Sequence, residues 1–261
     1  MRRVLLLGLG IAVGAARVSA QEATDPHDAQ PERPTVATHA YTVWPGWVEV
    51  EAGIETDRFD AGVHAFSTPV SLKLGLVPRV QLEISDAWMR TTSTGPAREG
   101  GGDLTVSVKW RIADSLPVLG SFAVLPALKL PTGSATDGLG TGSTDARITL
   151  ISSHQLGPVE LDINAGYTWR ASTAHAPRTA TLWTVSAGTP VRGILGWTAE
   201  VYGYPGTAGP LGTAPIVALL TGPVFTVRRW AELDTGVILP LDGPQAHAFY
   251  AGGTWNMGRI W

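Results

Sequence analysis

The sequence predicts an all-β chain, a twelve-stranded antiparallel transmembrane β-barrel. Three observations carry this reading. Past Tyr41, stretches of nine to thirteen residues alternate apolar with polar side chains, the period of a strand with two unlike faces. The breaks between them run alternately long and short, as do the outer loops and periplasmic turns of an outer-membrane barrel. No later stretch offers the eighteen consecutive apolar residues of a helical span.

Residues 1–20 read as a secretory signal peptide. Arg2 and Arg3 precede the apolar run Val4 to Val13, and Val18-Ser19-Ala20 supplies a small-residue cleavage pattern. Removing it takes away Arg2, Arg3 and Arg17 and no acid, so the formal charge falls from −3 to −6. Residues 21–45 are rich in proline and polar side chains, with Pro26, Pro31 and Pro34. They read as a flexible periplasmic segment, with a short plug inside the barrel as the alternative. Residues 46–261 form the barrel itself.

The expected strands are 47–56, 69–77, 79–89, 102–112, 121–130, 144–153, 158–170, 179–188, 194–204, 215–226, 229–239 and 247–257. Alternation is clearest in 103–112, where Leu104, Val106, Val108, Trp110 and Ile112 oppose Asp103, Thr105, Ser107, Lys109 and Arg111. In 159–170, Val159, Leu161, Ile163, Ala165, Tyr167 and Trp169 oppose Glu160, Asp162, Asn164, Gly166, Thr168 and Arg170. The segment 215–226 is the least regular, with Pro215 and Pro223, residues awkward in a paired strand. The long breaks are 57–68, 90–101, 131–143, 171–178, 205–214 and 240–246. An even strand number returns both termini to the periplasm.

A β-sandwich would have strands of about five or six residues, whereas a tilted transmembrane strand takes about 9–11. Trp47, Trp88, Trp110, Trp169, Trp230 and Trp255 stand near segment ends, where interfacial girdles form. Trp183 lies mid-segment and does not follow this rule. Trp261 closes the chain, and Arg259, Met257, Trp255, Gly253, Ala251 and Phe249 precede it at every second position. Such an aromatic terminus resembles the signal read by the outer-membrane assembly machinery, the expected partner of the last strand. The expected location is the outer membrane of a Gram-negative-type bacterium, with the lipid bilayer around the barrel.

Composition narrows the functions. Charged residues make up 16% of the chain, below the roughly 25% of soluble domains. Cysteine is absent, which excludes disulfides, thiolate metal sites and cysteine nucleophiles. The negative net charge argues against nucleic acid as a partner.

Polar faces would line the lumen. By parity the inward acids are Glu49, Glu51, Glu55, Glu83, Asp103, Asp145, Glu160, Asp162, Glu200, Glu232 and Asp234. The inward bases are Lys73, Lys109, Arg111, Lys129, Arg147 and Arg170, joined by Asn164 and Tyr202. A lysine or arginine facing lipid at mid-membrane costs about 2–4 kcal/mol, which accounts for all three lysines falling on this face. The face suits either a mildly cation-favouring pore or an ion-pair network bracing a filled lumen; twelve strands lie between filled and open barrels. The bases are expected on strands two to six and acids on seven to eleven, which would set a field across the lumen, blurred where Glu49, Glu51, Glu55 and Glu83 on the first and third strands pair with the basic side.

Catalytic patterns are weak. Ser153 and His154 are adjacent, so a strand points them to opposite faces. The loop 138–144 is Gly-rich but lacks the lysine and following helix of a phosphate loop. The six histidines show no ligand spacing. Neither enzymatic activity nor a metal or cofactor is expected.

Between 101 and 170 the chain resembles a known family. Gly102-Asp103 opens a strand ending Lys109-Trp110-Arg111, followed by Pro126-Ala127-Leu128-Lys129-Leu130-Pro131-Thr132-Gly133. Gly140-Thr141-Gly142, Asp145 and Leu161-Asp162-Ile163-Asn164-Ala165-Gly166-Tyr167 come next. Glu200-Val201-Tyr202-Gly203 and Glu232-Leu233-Asp234-Thr235-Gly236-Val237 follow further on. These pieces, in this order, resemble the outer-membrane barrels called Putative MetA-pathway of phenol degradation, over roughly 45–261. The resemblance implies a barrel that passes hydrophobic or aromatic compounds. The function expected is passive diffusion of small aromatic or hydrophobic solutes, with a non-conducting structural or surface-interaction barrel as the alternative.

Overall fold

The computed structural model describes residues 25–59, 62–93, 95–172, 177–205, 215–244 and 246–261. The signal-peptide segment lies outside the described residues. Strands follow one another as antiparallel neighbours: β1 (Trp47–Arg58), β2 (His64–Val77), β3 (Val80–Thr92), β4 (Arg98–Gly101), β5 (Thr105–Leu116), β6 (Gly120–Lys129), β7 (Asp145–Leu156), β8 (Val159–Arg170), β9 (Thr179–Arg192), β10 (Leu195–Tyr204), β11 (Ile216–Arg228), β12 (Ala231–Asp242) and β13 (His247–Arg259). β1 pairs with both β2 and β13, from Trp47↔Arg259 to Arg58↔His247 on the β13 side, and so closes the sheet. Closure leaves no unpaired edge in hydrocarbon.

The short β4 and long β5 are two pieces of one barrel strand, since both pair with β3. Three residues separate Gly101 from Thr105, while two separate their partners Trp88 and Ser85. The extra residue makes a bulge, and the Gly102 N–H donates to the Ala87 carbonyl across it at 2.9 Å. The barrel therefore has twelve walls, as the alternation predicts.

Connections at one end are tight, at 78–79, 117–119, 157–158, 193–194 and 229–230. Gly157 and Gly193 take positive φ of 63° and 59° there, which two-residue hairpins demand and glycine adopts without strain. At the other end the connections are mostly longer, up to residues 130–144. Several strands run past the expected segments, as β2 does by starting at His64. At these ends the His-Ala-Phe-Ser-Thr sequence has no apolar–polar contrast, so alternation cannot mark them.

Prolines sit where ladders skip. β1–β2 pairing passes from Ala52↔Val70 to Glu55↔Ser67 at Pro69. β5–β6 pairing passes from Ser107↔Ala127 to Trp110↔Val124 at Pro126. β11–β12 pairing passes from Thr221↔Val237 to Val224↔Asp234 at Pro223. A residue without an N–H falls where none is called for.

The outer wall is apolar. Ile84, Ile148, Leu150, Ile163, Val185 and Leu233 are exposed there, with Trp88, Trp110, Trp169 and Trp197 among them. Trp183 is exposed in the same way, mid-strand. A sheet with this outer surface is an outer-membrane β-barrel, its apolar face matched to lipid.

Candidate functional site: the lumen and residues 25–46

Residues 25–46 lie among the inward side chains, hydrogen-bonded to wall after wall. Their polar backbone, which lipid could not satisfy, finds partners in the polar face of the barrel. The Gln30 N–H donates to Glu49 Oε2 at 2.6 Å, and the Glu32 N–H to Glu51 Oε1 at 2.7 Å. Arg33 reaches Asp234 on β12 at 3.2 Å. The Val36 and Ala37 N–H groups both donate to the Glu200 carboxylate on β10 at 2.7 Å. Asn164 on β8 accepts from the Thr38 N–H at 2.8 Å and donates to its carbonyl at 2.9 Å. The Ala40 N–H donates to Ser153 Oγ on β7, and the Val43 N–H to Gln81 Oε1 on β3. The segment thus circles the inner wall before Gly46 joins β1. Pro45 bridges Gly75, and the Gly46 N–H donates to its carbonyl at 2.9 Å. The described residues are therefore not a free periplasmic lead but take the alternative place inside the barrel, because the inward side chains satisfy their backbone.

The charged side chains beside the segment are dry. Lys73 is 0% exposed, between Glu49 at 2.5 Å and Glu51 at 2.7 Å, and it donates to the Gln30 carbonyl at 2.6 Å. Thr254 adds a hydroxyl donor to Glu51. Lys109, also 0% exposed, pairs with Glu32 and donates to Thr38 Oγ1 at 2.7 Å and the His39 carbonyl at 2.9 Å. Arg111 pairs with Asp114 at 3.3 Å and lies over the Tyr41 ring at 5.9 Å. Ammonium groups without water are tolerable only with such partners. Loss of water pushes the Glu32 carboxyl up, but Lys109 and Lys73 outweigh this and hold it at about 2. His39 is pushed down to about 3 by desolvation and by the neighbouring Lys109.

The remaining inward acids divide by depth. Glu83 accepts from the Ser71 and Ser107 hydroxyls at 3.0 and 3.4 Å. Asp162 accepts from Ser153 at 2.5 Å and Glu232 from Thr226 at 3.1 Å. Glu160, Asp162 and Glu232 share a cavity of about 270 Å³ near the tight turns, with Pro31, Thr35 and His39 on its other side. Asp103 sits in the bulge between β4 and β5 and anchors the 130–144 connection instead. It accepts from the Gly133 and Thr141 N–H groups at 3.1 and 2.8 Å and pairs with Lys129 at 2.9 Å.

Towards the longer connections the lumen changes character. Lys129, Arg147 and Arg170 surround a cavity of about 160 Å³, with Asp145, Leu182 and Tyr204. Lys129 pairs with Asp145 at 3.1 Å, and Arg170 donates to the Pro177 carbonyl at 2.9 Å. Arg147 is exposed in this outer mouth. Across from it, β10–β13 turn an apolar cluster inward: Tyr202, Ile216, Ala218, Leu220, Ile238, Ala248 and Tyr250, with Tyr204 packed against them. The Tyr250 hydroxyl is buried without a hydrogen-bond partner among the described residues.

The expected transverse field is blurred by pairing with the β1 acids and, beyond them, by Glu32. Lys73 and Lys109 are neutralised by β1 acids and by Glu32 of the segment, a partner outside the strands that strand parity does not count. What remains is mixed at both ends: Lys129, Arg147 and Arg170 share the outer mouth with Asp103 and Asp145, and Glu160, Asp162 and Glu232 gather at the inner one. Parity also misses Leu220, Ile238 and Tyr250, because apolar side chains are read outward by default. The signal available is β11 itself, Ile-Val-Ala-Leu-Leu, apolar on both faces.

Among solved structures, the COG4313 outer membrane channel from Pseudomonas putida F1 has the same fold, with a TM-score of 0.66 at 12% identity over 82% of this chain and 96% of that one. The translocator domain of autotransporter NalP from Neisseria meningitidis aligns at a TM-score of 0.48 and 10% identity, over 86% of this chain and 90% of that one. No curated protein matches the chain. The sequence pattern of one family covers residues 32–212, most of the segment inside the lumen and the walls β1 to β10. The chain belongs to the family Putative MetA-pathway of phenol degradation.

Proposed function

We infer that this barrel is an outer-membrane channel through which small aromatic or hydrophobic solutes diffuse passively. The observation that carries the reading is the two-sided outer lumen. One side offers Tyr204 and Leu182, with Tyr204 backed by the buried Tyr202, Tyr250, Leu220 and Ile238, and the other offers Lys129, Arg147 and Arg170. An aromatic ring gains by leaving water against the first side. A carboxylate on that ring gains a charge-assisted hydrogen bond from the second. Residues 25–46 fill the inner half, so passage requires their displacement. The role is transport, with no catalytic step. The row Phe249, Ala251, Gly253, Trp255 and Met257, with Trp261 beyond, is what the assembly machinery would read in β13.

Proteoliposomes loaded with protein and supplied with benzoate test this. Benzoate entry should exceed that of a sugar of similar size, and K129Q/R147Q should lower it several-fold while leaving sugar entry unchanged. Equal entry of both solutes in wild type would remove the selectivity claim. A second reading, a non-conducting braced barrel, is favoured by the dry Lys73–Glu49–Glu51 and Lys109–Glu32 groups. It predicts no solute entry in any variant, with K129Q/R147Q changing only thermal stability.

A further inference from the structure

On the outside of the barrel, near the longer connections, a groove of about 770 Å³ crosses β1. It exists because Thr56 is small and its register neighbours on either side are Phe66 of β2 and Phe249 of β13. Trp88 stacks edge-on against Phe66 at 6.3 Å and extends one ridge; Val237 and Leu239 of β12 extend the other. Trp88 and Phe249 are 40% and 48% exposed, so the ridges stand out from the wall.

The rim of this groove is mostly basic, with Asp57, on the inward parity of β1, the one carboxylate among its described lining residues. Arg58 of β1 is paired in register with His64 and His247, and Arg90 of β3 with Phe66. All four basic side chains lie on the outward, exposed parity of their strands. The two arginines stand two strands and two residues of register apart, about 12 Å at the usual spacings. Glu99 approaches Arg90 at 3.6 Å and takes up part of its charge; Arg58 has no carboxylate partner among the described residues. Arginine at this level, unlike at mid-membrane, costs about 0–1 kcal/mol, and its guanidinium is suited to phosphate.

We propose that this groove binds a phosphorylated, multiply acylated glycolipid of the outer leaflet. Its acyl chains lie over Thr56 between the Phe66–Trp88 and Phe249–Val237 ridges. Its phosphates are held by Arg58 and Arg90, with His64 and His247 as neighbouring donors. The site faces lipid and is separated from the lumen by the wall, so it does not depend on conduction. Apolar ridges beneath a basic rim favour a lipid phosphate over a free one, because inorganic phosphate gains nothing from the ridges.

The test is native mass spectrometry of the full-length protein purified from outer membranes, alongside thermal shifts of delipidated protein. Wild type should retain the phosphorylated glycolipid. R58S/R90S and F249S should each retain about tenfold less, the loss of roughly one charged or one apolar contact set. K129Q, in the lumen, should retain as much as wild type. In the thermal assay, which needs no variant, phosphorylated diglucosamine lipid should raise the melting temperature more than its dephosphorylated form, and inorganic phosphate should not displace it. Equal retention by wild type and R58S/R90S, equal shifts with both lipid forms, or displacement by inorganic phosphate would each overturn the proposal.

Discussion

Asn164 holds residues 25–46 with both halves of its amide, and it is only 2% exposed. Its replacement by alanine leaves the Thr38 N–H and carbonyl without partners in a dry place. Each such loss costs about 1–3 kcal/mol. Asn164→Ala should therefore expose the segment to protease while the strands stay intact, and Asn164→Asp, which keeps the acceptor, should do so less. Equal protection in all three proteins would show that the segment is held elsewhere. Acid should act on the same contact. Glu32 is held at about 2, so its pairing with Lys109 is present above its ordinary range and fades as pH falls towards 2. His39 is held at about 3, so inside the barrel it stays neutral where free histidine gains a proton, below about 6.5. Both groups make release of the segment more favourable as pH falls. The His39 part is read by difference: between pH 6.5 and pH 3, protease access to residues 25–46 should rise more in wild type than in His39→Asn, and an equal pH dependence of the two would contradict this account.

Element by element, the strands differ in how much backbone they pack against. Gly222 of β11 lies beside Pro223, where the ladder to β12 skips. A Cβ there would meet the Thr235 carbonyl at 1.9 Å and the Gly236 Cα at 2.7 Å. These are backbone atoms and cannot swing aside, so Gly222→Ala should cost about 1–3 kcal/mol. Gly188 of β9 has open space at its Cβ position, and Gly188→Ala should stay within about 0.5 kcal/mol. Urea unfolding of the two variants in lipid distinguishes them, and equal midpoints would refute the packing argument. The same strand marks where sequence was hard to read. β5 and β8 alternate cleanly, so number, span and facing of such strands follow from period alone. β11 is apolar on both sides because its inner face packs with Tyr202, Ile238 and Tyr250 rather than with water. Alternation is a contrast between lipid and water, and it vanishes where the lumen itself is apolar.

For the whole molecule, closure and strand number were legible because every long strand must satisfy its hydrogen bonds inside the bilayer. The partners of the inward charges were not legible. Lys109 pairs with Glu32, 77 positions away, in a segment with no periodic pattern to place it. Its position follows from hydrogen-bond demand, which sequence reports only as a polar, proline-rich stretch. In the proposed channel, residues 25–46 must leave the lumen before a solute can pass. Ala40 and Ala123 lie in one buried cluster with Leu125 and Ile151, and the chain has no cysteine of its own. Single-channel recording of A40C/A123C therefore tests the claim directly. Oxidation, which fastens the segment to β6, should abolish conductance, and reduction should restore it to the wild-type level. Conductance that is unchanged by oxidation, or absent in both states and in wild type, would contradict the account.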